Sequence, residues 1–248
     1  MKTVSFKRYA AGVMLFSFFL QLPVFAFNNK VPAANHTPVN TRASEINTIK
    51  LEADSLYACI NLSTPGLAKN VFELALRGYK KLKRMNKITR EGILSIIDFS
   101  KPSNTPRLFV IDLNTRELLV STLVAHGKNS GMTYASSFSN SPSSNKSSLG
   151  FFVTRNTYSG ENGYSLKLEG EEKGVNDRAY ARHIVIHGAE YVAPDFIRST
   201  GHLGRSLGCP AVSIEEHKKI IDLIKDGTCL FIYHPSKTYL KKSKLVNS

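Results

Sequence analysis

The sequence predicts a mainly β domain preceded by a small α-helical section. Short β-branched or aromatic runs recur after residue 86 with turn residues between them, whereas apolar residues before that point follow a helical spacing. With 248 residues, 42% of them apolar, the chain can bury one full core and a small second module. This composition excludes a mostly disordered chain, a collagen-like repeat and a coiled coil.

The first residues have the pattern of an export signal. Basic residues precede an apolar run over 10–22, and Val24-Phe25-Ala26 offers small or aliphatic residues for a cleavage site. The run is shorter than the about 18–20 residues that cross a bilayer, so a removed signal peptide is favoured over a transmembrane anchor or a buried helix. We therefore expect a signal peptide over 1–26, an exported protein of the periplasm or cell envelope, and no integral membrane segment after cleavage.

The chain is strongly basic. Its net charge is +14, and loss of the three positive charges within residues 1–26 leaves +11. Such a surplus attracts polyanions or anionic surfaces. An exported protein rarely meets nucleic acid, whereas the anionic cell envelope surrounds it. We therefore expect the envelope to be the partner, and no nucleic-acid partner.

The front of the chain reads as a lead-in followed by helices. Residues 27–43 are rich in proline and asparagine and are expected to form a flexible lead-in. Apolar residues over Ser44–Ile60 recur at helical spacing, and a second helix is expected to open at Thr64-Pro65 with a hydroxyl N-cap. The section 44–104 contains no catalytic pattern, which favours a packing element over a binding module.

The β-rich part contains short strands and one helix. Ser213 and Glu216 form a capping-box pattern at the start of a helix that ends at Gly227. We assign 105–236 to the β domain and 237–248 to a basic tail. The predicted strands are Ile93–Phe99, Arg107–Leu113, Leu118–Ala125, Gly150–Thr154, Tyr164–Leu168, His183–His187 and Thr228–Tyr233.

A polar, serine-rich segment interrupts the β domain at residues 129–149. It is either a floppy insertion or a loop that faces the substrate, and the sequence leaves both open. Within this segment we expect three polar residues to line a cleft: Asn140, Ser147 and Ser148.

The candidate catalytic residues lie in two separate segments, a strand that contains a histidine and a glycine-rich loop that contains a cysteine. A buried strand is expected to end at His187, where Gly188 lets the chain turn sharply. Cys209 comes 22 residues later, in a loop with three glycines just ahead of the helix capped by Ser213. An open sulfur, a nearby imidazole base and free backbone N–H groups are the parts of a thiol acyl-transfer site. In the same loop, Arg205 is expected to bind a substrate carboxylate or to form an ordinary salt bridge.

The other cysteines and one histidine allow alternatives. We interpret Cys59 and Cys229 as small core residues. In an exported protein Cys209 can instead pair with either of them, or Cys59 and Cys229 can form a disulfide that leaves Cys209 free. His183 and His187 are spaced as two zinc ligands on a helix would be, but on a strand they lie about 13 Å apart, too far for one metal.

This segment resembles the catalytic core of the YkuD-like murein L,D-transpeptidase family of bacterial cell-wall enzymes. Ile186-His187-Gly188 matches the family's histidine step, and Ser206-Leu207-Gly208-Cys209 matches its Ser/Thr-His-Gly-Cys loop, with leucine in place of the usual histidine. Residues 146–154 resemble the family's strand entry. The likeness covers 105–235 and is strongest to a divergent branch with the pattern Gly-Arg-Ser-x-Gly-Cys-Pro-Ala-Val.

The resemblance implies a β-rich sandwich or barrel with one helix after the catalytic loop. It implies that Cys209 attacks the carbonyl between a diamino acid of a peptidoglycan stem peptide and the D-Ala that follows it. His187 is then the base, oriented by the Gly188 carbonyl, and the N–H groups of Gly208 and Cys209, in the loop with Ser206, hold the oxyanion.

The same resemblance implies how the thioester is resolved. A second stem as acceptor gives a cross-link, a D-amino acid gives D-Ala exchange, and water gives L,D-carboxypeptidase activity, all without a metal or cofactor. Two alternatives stay open: a non-catalytic peptidoglycan-binding protein that retains the fold, and a zinc-dependent wall amidase or peptidase.

Overall fold

An eight-stranded mixed sheet organises the part of the chain that the computed structural model describes, which is residue 3 and residues 41–247. The strands are β1 (Ile93–Asp98), β2 (Leu108–Asp112), β3 (Glu117–Thr122), β4 (Gly150–Gly160), β5 (Gly163–Gly170), β6 (Val185–Gly188), β7 (Ala211–Val212) and β8 (Cys229–Tyr233). The helices are α1 (Thr41–Ile60), α2 (Lys69–Arg84), α3 (Pro194–Thr200), α4 (His217–Ile224) and α5 (Lys237–Lys242). None of these helices is long and apolar enough to cross a membrane.

The sheet runs in the order β3-β2-β1-β8-β4-β5-β6-β7. The β1–β8 and β6–β7 pairs are parallel, and the other neighbouring pairs are antiparallel. Directly after β3, Ala125 forms a bridge to Ala211 of β7, which brings the two ends of the strand order together. The sheet is therefore nearly closed, and the predicted mainly β, barrel-like fold with a helical front section is confirmed.

Helix α2 packs its apolar side into the main core against the sheet. A Cβ atom on Gly78 would lie only 2.0 Å from the Phe151 ring, so glycine permits the close approach of this helix to β4. We expected the helix to open at Thr64-Pro65, but it begins at Lys69 because residues 61–66 form turns in which Gly66 takes a left-handed φ of +82°. The prediction of a packing element agrees with these contacts.

The structure changes two predicted boundaries. Strand β1 pairs with both β2 and β8, so the sheet begins at Ile93 and not at residue 105. Helix α1 begins at Thr41, inside the expected lead-in. The predicted signal peptide at 1–26 and the rest of the lead-in, 27–40, lie outside the described residues, residue 3 excepted.

The C-terminal segment is a docked element and not simply a basic tail. Tyr239 lies within α5, and Leu245 and Val246 follow the helix. All three side chains are buried. The buried carboxylate of Glu172 accepts hydrogen bonds from the Tyr239 hydroxyl at 3.2 Å and from the Ser243 hydroxyl. Burial raises the pKa of Glu172, an effect that these hydrogen bonds partly oppose. The segment therefore covers a group that is costly to bury without partners.

Replacing Ser243 by alanine tests this docking. The change removes a hydroxyl donor from the buried Glu172, so we expect the free energy of unfolding to fall by about 1–3 kcal/mol. Urea unfolding followed by circular dichroism measures the change. Lys241→Ala, on the exposed side of α5, is the control and should remain within about 0.5 kcal/mol of wild type. Equal stability of Ser243→Ala and wild type would contradict the docking.

Candidate active site

The cysteine loop and the histidine strand meet through the β6–β7 pairing. In this parallel register His187 lies opposite Ala211. Counting back two residues from each brings Cys209 beside Val185. The Val185 N–H lies 3.5 Å from the Cys209 sulfur, and the thiol lies 3.6 Å from the His183 carbonyl oxygen. The sulfur is therefore held at the beginning of β6. His187 follows on the same strand face, about 7 Å along the backbone from Val185.

The His187 imidazole is buried and has a defined tautomer. Its Nδ1 atom lies 2.9 Å from the carbonyl oxygen of Gly188. Because a carbonyl only accepts, Nδ1 carries the hydrogen and Nε2 keeps its lone pair. Burial lowers the pKa of His187, and the Gly188 carbonyl partly opposes that shift. The ring is thus neutral near neutral pH, as a general base must be. The Gly188 carbonyl thus contacts the ring, and the catalytic roles of His187 and Gly188 stay predictions.

Gly188 is required for a different reason from the one the sequence suggested. It lies within β6 and does not form a sharp turn. A Cβ atom at this position would be 2.9 Å from the imidazole of His217, the first residue of α4. The absence of a side chain therefore lets α4 pack directly on the strand that carries His187.

All three cysteines are free thiols, which overturns both disulfide alternatives. Cys229 is buried in β8, as expected of a small core residue, but Cys59 is exposed because it lies on the outer side of α1. Cys209 is partly exposed. Burial raises the pKa of the Cys209 thiol, whereas the Val185 N–H and the positive charge of Arg182 act in the opposite direction.

The Ser206 side chain fixes the loop around the cysteine. Its hydroxyl donates to the Cys209 carbonyl at 2.6 Å and accepts from the Gly208 N–H at 3.0 Å. The expectation that the Gly208 N–H holds an oxyanion is therefore corrected, because that donor is already bound to Ser206. Gly208 has φ of +129°, and a Cβ atom there would lie 2.9 Å from the Lys146 carbonyl oxygen. Leu207 is 66% exposed, so the residue that replaces the expected histidine points away from the packed part of the loop.

Arg182 is the component that the sequence reasoning missed. Its guanidinium donates to the carbonyls of Ser139 and Lys146 at 2.7 and 2.8 Å, and also to the Ser148 hydroxyl. These bonds fasten the serine-rich segment to the turn that precedes β6, which favours an ordered loop over a floppy insertion. No local motif marks this residue, since its partners are more than 30 positions away in the chain.

Two of the residues expected to bind substrate are structural. Ser147 and Ser148 are only 1% and 2% exposed. The Ser147 hydroxyl donates to the Gly208 carbonyl at 3.2 Å and accepts from the Gly127 N–H, and the Ser148 hydroxyl donates to the Ser139 carbonyl. Substrate contact is wrong for both, because their polar atoms are used inside the protein.

The other two candidate binding residues lie at the surface. The Asn140 side chain bonds Asp177 at 2.8 Å and accepts from the Arg178 N–H, and it lines a cavity with residues of the C-terminal segment. Arg205 donates to the Gly131 carbonyl at 3.3 Å and contacts the Met132 sulfur, so it braces the loop. Binding of substrate by either residue stays a prediction.

His183 is not part of the strand, contrary to our prediction. It has φ of +55° and lies in the turn that ends before β6 begins at Val185. Within residue 3 and residues 41–247, no group of three or more His, Cys, Asp or Glu side chains is arranged to hold a metal ion.

A family profile for the L,D-transpeptidase catalytic domain matches residues 63–233. This chain belongs to the L,D-transpeptidase catalytic domain family. The resemblance seen in the sequence is thereby confirmed, and the match begins ahead of the boundary at residue 105 that the motifs indicated. The comparison with curated proteins gives no match.

Solved structures with some similarity to this L,D-transpeptidase-family chain include two from mycobacteria. The L,D-transpeptidase from Mycobacterium smegmatis has 14% identity over 58% of this chain and 59% of its own, with a TM-score of 0.35. L,D-transpeptidase 1 from Mycobacterium tuberculosis has 12% identity over 57% and 61%, with a TM-score of 0.33. A fused zinc-dependent amidase, peptidase and peptidoglycan-binding protein from Clostridium acetobutylicum has 14% identity over 62% and 61%, with a TM-score of 0.33. The chain spans about three fifths of the length of these proteins.

Alkylation measures the ionisation of the Cys209 thiol directly. In a Cys59→Ser variant, we expect the rate of Cys209 modification by iodoacetamide to keep rising with pH beyond the midpoint of an unstructured cysteine peptide, because burial raises the thiol pKa. Intact-mass spectrometry follows the adduct. A midpoint at or below that of the peptide would contradict the burial of this sulfur.

Arg182→Met is expected to move that alkylation midpoint further upward, since it removes the positive charge that favours the thiolate. Arg205→Met, which deletes a guanidinium from the cysteine loop itself, is the matched control and should leave the midpoint in place. Circular dichroism checks that both variants are folded. Equal midpoints for the two variants would show that Arg182 has no special influence on the sulfur.

Proposed function

We propose that this protein is an exported L,D-transpeptidase that uses Cys209 to transfer an acyl group between peptidoglycan stem peptides. The observation that supports this most is the juxtaposition at the start of β6. There a reduced, partly exposed thiol is held next to the strand face from which His187 presents a neutral imidazole. Membership of the family supports the reaction class.

In the first half of the reaction the sulfur of Cys209 attacks the carbonyl of the diamino acid that precedes D-Ala in the donor stem. The thiol proton passes to Nε2 of His187, and a carbon–sulfur bond forms. As the carbon–nitrogen bond to D-Ala breaks, His187 returns the proton to the departing amine. The products are free D-Ala and a thioester on Cys209.

In the second half an amine of a second stem attacks the thioester carbonyl. His187 accepts a proton from that amine, the carbon–sulfur bond breaks, and His187 passes the proton to the departing sulfur, which restores the thiol of Cys209 and the neutral imidazole. The new amide is a cross-link between stems. A D-amino acid as acceptor gives exchange of the terminal residue, and water gives L,D-carboxypeptidase activity.

The resting pair is proposed to be a thiol and a neutral imidazole and not an ion pair. Burial raises the pKa of Cys209 and lowers the pKa of His187, and both shifts disfavour the charged forms. Proton transfer therefore accompanies nucleophilic attack. This arrangement gives His187 the role of a true general base and keeps the unliganded thiol unreactive.

The oxyanion of the tetrahedral intermediate is assigned to the N–H of Cys209. The neighbouring Gly208 N–H is bound to Ser206, whose hydroxyl also holds the Cys209 carbonyl. The Cys209 N–H shares its peptide unit with the Gly208 carbonyl, which accepts a hydrogen bond from the Ser147 hydroxyl at 3.2 Å, so this bond orients the proposed donor. One well-placed oxyanion donor contributes roughly 3 kcal/mol of transition-state stabilisation in comparable sites.

Incubation of the mature protein with purified stem tetrapeptides tests the proposal. We expect cross-linked dimers together with free D-Ala, detected by mass spectrometry, and no product from Cys209→Ala. His187→Gln should lower the rate about 10²–10⁴-fold because it removes the base.

Cys59→Ser provides the matched control for loss of a thiol and should retain full activity. Loss of D-Ala without dimers would assign a carboxypeptidase. An unchanged tetrapeptide, with retained binding to peptidoglycan, would instead favour the non-catalytic binding protein.

A further inference from the structure

Lys167 stands in the same row of the sheet as the cysteine. It pairs with Val185 across β5 and β6, and the Val185 N–H is the group that contacts the Cys209 sulfur. The backbones of Lys167 and Val185 lie one strand spacing apart, about 4.8 Å, and the Cys209 sulfur lies 3.5 Å from the Val185 nitrogen. A lysine side chain spans much of these two distances combined.

A cavity of about 280 Å³ opens at this row. Its lining residues come from β4, from β5, from the turn before β6, and from the first residue of β6. They are Tyr158, Lys167, Tyr180, His183, Ile184 and Val185. Since the Cys209 sulfur lies against the His183 carbonyl and the Val185 N–H, this cavity adjoins the proposed nucleophile.

Two tyrosine rings hold the Lys167 ammonium group. Its Nζ atom lies 5.4 Å from the centre of the Tyr158 ring and 5.8 Å from that of Tyr180. Such contacts position a cation without neutralising it. Within residues 41–247, no carboxylate lies within ion-pair distance of Lys167. The positive charge is thus fixed at the cavity and open to an anion.

We infer that Lys167, held by Tyr158 and Tyr180, binds a carboxylate of the donor stem peptide while Cys209 attacks the neighbouring carbonyl. This inference rests on the proposed function. Lys167 acts as a binding and positioning residue: it pairs with the carboxylate, and the tyrosine rings cover the adjacent alkyl parts of the peptide. The donor has two suitable groups, the terminal carboxylate of D-Ala and the side-chain carboxylate of a diaminodicarboxylic acid.

A pair of alkylating reagents tests the subsite without requiring transpeptidase activity. Iodoacetate and iodoacetamide react with a thiolate by the same step, in which a carbon–sulfur bond forms and iodide leaves, but only iodoacetate carries a carboxylate. In a Cys59→Ser background, Lys167→Met should lower the ratio of the iodoacetate rate to the iodoacetamide rate at Cys209 about two- to fivefold at low salt. Met retains the length and the packing of the alkyl chain.

Two controls accompany this measurement. Lys167→Arg keeps the charge and should keep the ratio, and Lys173→Met removes a positive charge beside the separate cavity that Asn140 and Asp177 line. An equal ratio in wild type, Lys167→Met and Lys173→Met would overturn the inference even if the enzyme cross-links stems. If the ratio of the iodoacetate rate to the iodoacetamide rate falls only in Lys167→Met, and the protein does not react with stem peptides, the carboxylate subsite is supported and the proposed function is rejected.

Stem substrates then identify the carboxylate. Amidation of the group that Lys167 binds should raise KM for the wild type with little change in kcat, and Lys167→Met should no longer distinguish the amidated stem from the free acid. One substrate carries the amide on the terminal D-Ala and the other on the diamino acid. Lack of discrimination by the wild type against both would contradict carboxylate recognition by Lys167.

Discussion

The parallel pairing of β6 with β7 is the constraint on which the site depends. Strand β7 has only two residues, but it is held on both sides: by β6, and by Ala125, whose N–H donates to the Ala211 carbonyl at 2.8 Å. This anchorage fixes the chain immediately after Cys209. The register then places the sulfur at Val185 and leaves His187 two residues further along the same strand. The contacts that nearly close the sheet therefore also position Cys209, the proposed nucleophile.

Burial and hydrogen bonding set the chemical state of this site. Both Cys209 and His187 are held towards their neutral forms, and each has a backbone group that partly offsets the effect: the Val185 N–H for the sulfur and the Gly188 carbonyl for the ring. Arg182 adds a positive charge while binding the serine-rich segment. Because the thiolate is the reactive form of cysteine, a thiol held in its neutral form is less reactive than an exposed cysteine of ordinary pKa.

The sequence allowed the prediction of features that have local signals. The β-branched runs located the strands other than β7, and the glycine-rich loop together with the strand end singled out Cys209 and His187. Strand β7 could not be found because two residues form a strand only through their neighbours. Arg182, Ser147 and Ser148 form hydrogen bonds to residues that are distant in the chain, and residue type alone does not show such contacts. Arg182 was therefore missed, and the two serines were wrongly expected to contact substrate. Helix α3 did carry a signal, with Pro194 at its start and left-handed Gly201 at its end.

The most direct test of the central claim is to trap the acyl-enzyme with a carbapenem and locate the adduct by peptide mass spectrometry. Attack of the Cys209 sulfur on the lactam carbonyl opens the ring without loss of atoms, so the protein gains the full mass of the drug. We predict a stoichiometric adduct on Cys209, absent from the exposed Cys59 and formed much more slowly in His187→Gln. An adduct that forms equally fast without His187, or that maps to Cys59 in place of Cys209, would contradict a thiol and imidazole acting as one catalytic unit.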